Sequence, residues 1–199
     1  MGQITDVVKN LIILNVVVFI LTYEGLPLSD LLPDLSLFYP GDTRFKPYQV
    51  ISHMFMHGGI NHIVLNMLSL FFLGPTVERY LGAKKFFILY FAAGLGAVAL
   101  RSLAQYIGLA PLGPAVGASG AVVGVVTAFA TFFPHQKLYL MFIPVPIKAM
   151  FLVGAFIAFD LYCGLTGAVP RIAHFAHLGG ALIGFILAFF FFKNSYRRR

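Results

Sequence analysis

Gly117-Ala118-Ser119-Gly120-Ala121-Val122-Val123-Gly124-Val125-Val126-Thr127-Ala128-Phe129-Ala130-Thr131-Phe132-Phe133 is a run of small and apolar residues without a charge. It carries one serine hydroxyl at its start and is closed by Pro134. A proline cannot continue a helix, so the run reads as a short apolar helix that stops there. Its surroundings decide its solvent. The chain is 59% hydrophobic and only 11% charged, with a mean hydropathy of +0.88, far from the composition of a water-soluble domain. The sequence therefore predicts an all-α polytopic membrane protein. Its 199 residues leave room for about six spans of ~20 residues and little else.

Working outward from that run, six spans are predicted at about 7–23, 60–81, 86–107, 119–133, 148–165 and 174–192, forming one domain over residues 1–199. The first apolar run has no small-residue cleavage site after it and reads as a retained helix. Leu26 to Tyr48, rich in Pro, Asp and aromatic residues, is too polar to cross and too apolar for a plain linker. It is expected to lie half-embedded on the membrane surface. Cys163 is the single cysteine, which excludes an internal disulfide. The net charge of +7 does not indicate nucleic acid, because the basic residues fall in short loops and at Arg197-Arg198-Arg199, where membrane topology accounts for them. With the N-terminus cytoplasmic, the inner side holds Lys9, Arg79, Lys84, Lys85, Lys137, Lys148, Lys193 and the three terminal arginines. Arg44, Lys46, Arg101 and Arg171 then lie outside. Both termini are thus expected in the cytoplasm.

Helical rise converts position into depth. His62 stands ~25 Å, Ser119 ~27 Å and His177 ~24 Å above the cytoplasmic charge that closes each one's span, namely Arg79, Lys137 and Lys193. Three helices thus bring three polar side chains to nearly one level, just below the outer edge of a ~30 Å hydrocarbon core. The fourth span is only ~22 Å long, so its outer end is expected to stop below the surface with a hydrated cavity above Ser119. Gly120-x3-Gly124 and Gly180-x3-Gly184 would let the fourth and sixth helices approach closely. Such pairs are also ordinary membrane packing, but each lies directly after Ser119 or His177.

A serine hydroxyl needs a base to become a nucleophile, and His177 is the candidate. Asp160, the nearest acid, is read as lying near the far end of its own span's loop, so a Ser119–His177 dyad without a third member is predicted. The first turn of a helix offers unpaired N–H groups to an oxyanion. His62 and Asn66, four apart on one face of the second span, could add side-chain donors. An intramembrane asparagine is a functional candidate, though an interhelical hydrogen bond would also account for it.

Taken together, His57-x4-His62-x3-Asn66, Gly117-Ala118-Ser119-Gly120 and Ala176-His177-x2-Gly180-x3-Gly184, with Gly74-x3-Glu78-x3-Gly82 at the inner end of span two, resemble the signature segments of the rhomboid intramembrane serine proteases. That resemblance implies a six-transmembrane-helix bundle with a half-embedded first loop and a short fourth helix. It also implies Ser119 as nucleophile and His177 as general base. The Ser119 backbone N–H, the His62 and Asn66 side chains and the Ala118 backbone would hold the oxyanion, while Gly117, Gly120, Gly180 and Gly184 would be helix contacts. Substrates would be single-span transmembrane proteins cut in or near helices that unwind readily, with the lipid bilayer as surroundings and no cofactor or metal. Two positions depart from the pattern. Val123 stands where many relatives carry an aromatic residue that stacks on the catalytic histidine, and Tyr48-Gln49 stands where some carry Trp-Arg.

His53, His57 and His174 are read as hydrogen-bonding loop backbone, and His135 as solvated in a cytoplasmic loop. Clustered histidines also permit a membrane haem or metal protein ligated by His57, His62, His174 and His177, although this leaves Ser119 and its glycines unexplained. A non-catalytic relative that binds membrane segments is a further alternative, yet this chain retains both Ser119 and His177. A short six-span chain without a targeting extension suits a prokaryotic plasma membrane.

Overall fold

The computed structural model describes residues 3–23, 28–140, 143–170 and 172–192. Expectations for Leu26, Arg171, Lys193 and the terminal arginines fall outside them. The chain is a helical bundle: α1 (Asp6–Thr22), two short helices α2 (Leu31–Leu35) and α3 (Gln49–Ser52), a 3-10 turn (His53–Phe55), then α4 (Ile60–Leu81), α5 (Ala83–Tyr106), α6 (Ser119–Phe132), α7 (Ala149–Thr166) and α8 (His174–Ile186). Leu187–Phe192 continues α8 as π-helix. Among the described residues, four helices, Ile60–Leu81, Ala83–Tyr106, Ala149–Thr166 and His174–Phe192, are long and apolar enough to cross a membrane. α6 is an apolar helix of 14 residues, and α1 has 17. Each predicted span coincides with a helix to within a few residues.

α6 lies at the centre because its side chains are small. Gly120, Ala121, Val122, Val123, Gly124 and Val125 are all buried, and α4, α5, α7 and α8 all pack against it. Without a hydrophobic gradient between helices, close van der Waals packing holds them, and that needs backbones with little between them. A methyl group on Gly180 would strike the Gly120 backbone, one on Gly184 the Gly124 backbone, and one on Gly179 the Gly96 carbonyl. The glycine pairs of α6 and α8 therefore do meet. The seam is wider than the sequence pattern indicated, since Gly120 and Gly124 also press on Ala97 and Ala93 of α5.

At the opposite end, Glu78 is buried and accepts hydrogen bonds from Thr5 Oγ1 at 2.5 Å, Val7 N at 3.2 Å and Val8 N at 3.0 Å. It thereby satisfies orphan donors at the start of α1 with a favourable negative charge. Gly82, at φ 81°, is the only residue between α4 and α5. That left-handed conformation explains the glycine.

The segment between α1 and α4 is tied to the bundle. Leu37 and Ala115 exchange two backbone hydrogen bonds of 2.8 Å. Gln49, 1% exposed, accepts from Lys46 N at 3.1 Å and donates to the Asp34 and Arg44 carbonyls at 3.0 and 3.1 Å. Gln49, one of the two residues that depart from the family pattern, thus anchors the loop, while Tyr48 is exposed. Lys137–Leu140 and Ile143–Lys148 pair as an antiparallel hairpin, β1 and β2, where only a connecting loop was expected.

Candidate active site

Ser119 is the first residue of α6, and Ala118 before it is fully buried. Ser119 Oγ lies 3.0 Å from His177 Nε2. The two come together because the α6–α8 seam directly below them leaves no side chain between the backbones. Gly120 faces the Ala176 carbonyl as well as Ala97. Side-chain exposure of His177 is 14%, so the pair sits in a partly open position at the end of the seam opposite Glu78.

The expectation that no carboxylate reaches His177 is corrected. Asp160 of α7, 2% exposed, lies with Oδ2 3.0 Å from His177 Nδ1 and with Oδ1 2.5 Å from His174 Nδ1. His174 and His177, three apart in the first turn of α8, share a face, so one carboxylate serves both. The sequence contained the signal. The ruler that levels Ser119 and His177 also puts Asp160 ~18 Å above Lys148, about one helical turn from His177. Reading it as a loop residue obscured this. Nor does the His177 ring lack an aromatic neighbour. Phe156, one turn before Asp160 on α7, holds its ring 5.8 Å from the imidazole at 34°, on a different helix from Val123.

On the other side of Ser119, the His62 ring abuts Gly117. A Cβ on Gly117 would come within 2.7 Å of His62 Cε1 and Nε2 and 3.6 Å of Ser119 Oγ. Gly117 has φ 130° and donates its N–H to the His53 carbonyl at 2.9 Å. Its role differs from that of a helix contact: it gives the loop before Ser119 a left-handed turn and leaves space for the imidazole. Asn66 is buried and donates Nδ2 to the His62 carbonyl at 3.0 Å, one turn back on its own helix. This local bond steadies the turn bearing His62.

His53 bonds loop backbone as expected, with Nδ1 2.8 Å from the Gln49 carbonyl. His57 does not. It is 3% exposed, neither ring nitrogen has a hydrogen-bond partner among the described residues, and its ring packs edge-on against His62 at 5.0 Å between centroids. Burial pushes its pKa down to about 4, so the ring is neutral at neutral pH. His135 is exposed. No cluster of three His, Cys, Asp or Glu side chains arranged to hold a metal ion occurs among the described residues.

A recess beside Ser119 is lined by His53, Met54, Arg101, Gly117, Ser119 and Ala176, among others. Arg101, read from sequence as an outer loop charge, is 8% exposed and donates to the Gly113 carbonyl at 2.8 Å and Gln105 Oε1 at 3.4 Å. A guanidinium with several donors is tolerated there because its acceptors are built in.

The family model described as the rhomboid domain matches residues 44–194, which include α4 to α8 and every residue of this constellation. The chain belongs to the rhomboid family. This rhomboid is 35% identical over 157 residues to rhomboid protein 1, mitochondrial, of Saccharomyces cerevisiae, covering 75% of the chain and 43% of that relative. It is 30% identical over 197 residues to RHOMBOID-like protein 12, mitochondrial, of Arabidopsis thaliana, covering 91% and 57%. To presenilin-associated rhomboid-like protein A, mitochondrial, of Danio rerio, it is 33% identical over 146 residues, covering 71% and 36%. The rhomboid thus spans between about a third and three fifths of the length of these relatives. It is a multi-pass integral membrane protein. The names of these relatives point to mitochondria and lend no support to the expected prokaryotic plasma membrane.

Proposed function

We propose that this rhomboid is an intramembrane serine endopeptidase that cuts single-span membrane proteins in or near their helices. The supporting observation is the 3.0 Å approach of Ser119 Oγ to His177 Nε2 at the outer end of the α6–α8 seam. Family membership agrees, since rhomboids are generally intramembrane serine proteases. In the first half-reaction His177 Nε2 takes the hydroxyl proton as Ser119 Oγ attacks the scissile carbonyl carbon. The resulting oxyanion is met by backbone N–H groups at the start of α6, which have no intrahelical acceptor, and by the His62 imidazole beside Gly117. His177 then passes its proton to the leaving amine, and an ester to Ser119 remains. Water gives a proton to the same nitrogen, attacks the ester and frees the acid, restoring both residues. A peptide bond inside a helix is shielded, so substrates whose helices unwind readily are favoured.

The whole chain acts in this reading as one transmembrane domain of six crossing helices, with α1 and the short α6 completing the four long ones and both termini on the same side. Asn66 supports His62, with the Ala118 backbone beside the oxyanion. The test is labelling of the purified protein with a fluorophosphonate, together with cleavage of a model single-span substrate. Label on the wild type that disappears in Ser119→Ala supports the proposal. Equal labelling of both, or undiminished cleavage by Ser119→Ala, overturns it.

A further inference from the structure

We infer that His174 and Asp160 hold one proton between them, and that this shared proton makes Asp160 a positioning residue fixing His177 in the tautomer a base requires. The inference deepens the proposed serine chemistry and rests on Ser119 and His177 being its centre. It begins from a count of donors and acceptors. His174 Nε2 lies 3.0 Å from the Val169 carbonyl. A carbonyl oxygen only accepts, so Nε2 must carry a hydrogen. His174 Nδ1 meets Asp160 Oδ1 at 2.5 Å. A bare ring nitrogen and an ionised carboxylate oxygen are both acceptors and would not approach so closely. One proton therefore lies between them, on the imidazole or on the acid.

In either location the pair is neutral as a unit. That is how a carboxylate 2% exposed and an imidazole 5% exposed can sit among membrane helices, where an unpaired charge is costly. The consequence falls on the second oxygen. Whichever group holds the proton, it occupies the Oδ1 side, so Oδ2 is left as an acceptor. His177 Nδ1, 3.0 Å away, must then donate. This leaves the lone pair of His177 on Nε2, the nitrogen 3.0 Å from Ser119 Oγ. When Nε2 takes the serine proton, the shared proton can rest on His174, leaving an ionised carboxylate facing the new imidazolium. Apart from the serine proton, none enters or leaves the His177–Asp160–His174 chain in that step.

The arrangement makes an uncommon prediction for Asp160→Asn. With His174 Nε2–H still held by Val169, a neutral His174 offers a bare Nδ1. The asparagine must turn its NH2 toward it and its oxygen toward His177, so the tautomer survives. Asp160→Leu keeps bulk and removes both acceptors. The primary measurement is nitrogen NMR of histidine-labelled protein in the Ser119→Ala background, which reads protonation without needing activity. The expected spectrum has His177 protonated at Nδ1 in the Ser119→Ala parent and with Asp160→Asn added, but mixed tautomers with Asp160→Leu added. His177 protonated at Nε2 in the parent, or unchanged on adding Asp160→Leu, overturns the inference. In protein with Ser119 intact, kcat should fall about 100-fold or more for Asp160→Leu with KM little changed, and within about tenfold for Asp160→Asn. Equal losses in the two overturn it. Should Asp160→Leu fail to fold, His174→Gln decides: it should cost far more stability alone than when combined with Asp160→Asn, because only alone does it strand a buried carboxylate. Additive costs overturn the inference. If the wild type neither labels nor cuts, the protease reading fails while the NMR outcome still judges the proton count.

Discussion

α8 is gripped very differently on its two sides. Toward α5 and α6 it is held backbone to backbone, with Gly179, Gly180 and Gly184 each seated on a glycine of a neighbouring helix. Toward α7 the contact is made by side chains: Asp160 reaches His174 and His177, Phe156 lies beside the His177 ring, and Gly164 rests against His174 and Phe175. Elsewhere α7 exposes Phe151, Phe159, Tyr162 and Leu165. The seam fixes where the serine and the imidazole are, and α7 fixes how the imidazole is turned. Position is set by the absence of atoms, orientation by polar groups that can be replaced one at a time.

Three experiments bear on that contrast, and a fourth serves as its control. The largest effect is expected from the two residues the seam brings together: Ser119→Ala and His177→Ala should each lower kcat by about 10⁴-fold or more while the thermal melt is kept. A variant with wild-type cleavage would break the comparison at its root. Next, Gly180→Ala places a methyl group against the Gly120 backbone and should destabilise the fold by about 1–3 kcal/mol or more, with activity lost as the helices part. Gly154→Ala on α7 meets nothing within 4 Å, and should be neutral or stabilising by up to about 1 kcal/mol. Denaturation in mixed micelles separates them, and similar losses in both would deny that the two sides differ.

Phe156→Ala should cost about 0.5–1.5 kcal/mol of imidazole orientation, about two- to twelvefold in kcat, with KM and stability little changed. The smallest effect lies outside both contacts. Arg44 donates Nε and a terminal nitrogen to Asp42 at 2.9 and 2.7 Å, and these hydrogen bonds lower the Asp42 pKa from 3.8 to about 2. With the folded value depressed, the contact is fully present above 3.8 and is lost as pH falls through about 2. Carbon NMR of the Asp42 carboxyl should place its midpoint near 2, and Arg44→Ala should return it toward the ordinary value with no change in kcat.

The helices were readable because lipid demands long apolar runs, and Gly120, Gly124, Gly180 and Gly184 because a four-residue spacing marks one face of a helix. The common depth of Ser119, His62 and His177 followed from helical rise, and the glycine pairs indicated which two helices approach closely. Other features were hidden. Gly96, Ala93 and Ala97 complete the seam, but they lie in a helix of many small residues where no spacing singles them out. Asp160 was at the right depth, but which helix faces which cannot be computed from rise. Arg101 looked like a loop cation because its acceptors, the Gly113 carbonyl and Gln105, come together only in the fold. Gln49 works through backbone carbonyls, which leave no trace in residue type.

The lone glycine joining α4 to α5 carries a consequence for how the molecule can move. With only Gly82 to turn on, the two long helices cannot part at that end without unwinding a turn of one of them. The segment bearing His62 and Asn66 is thereby tethered to the helix that receives α6 and α8.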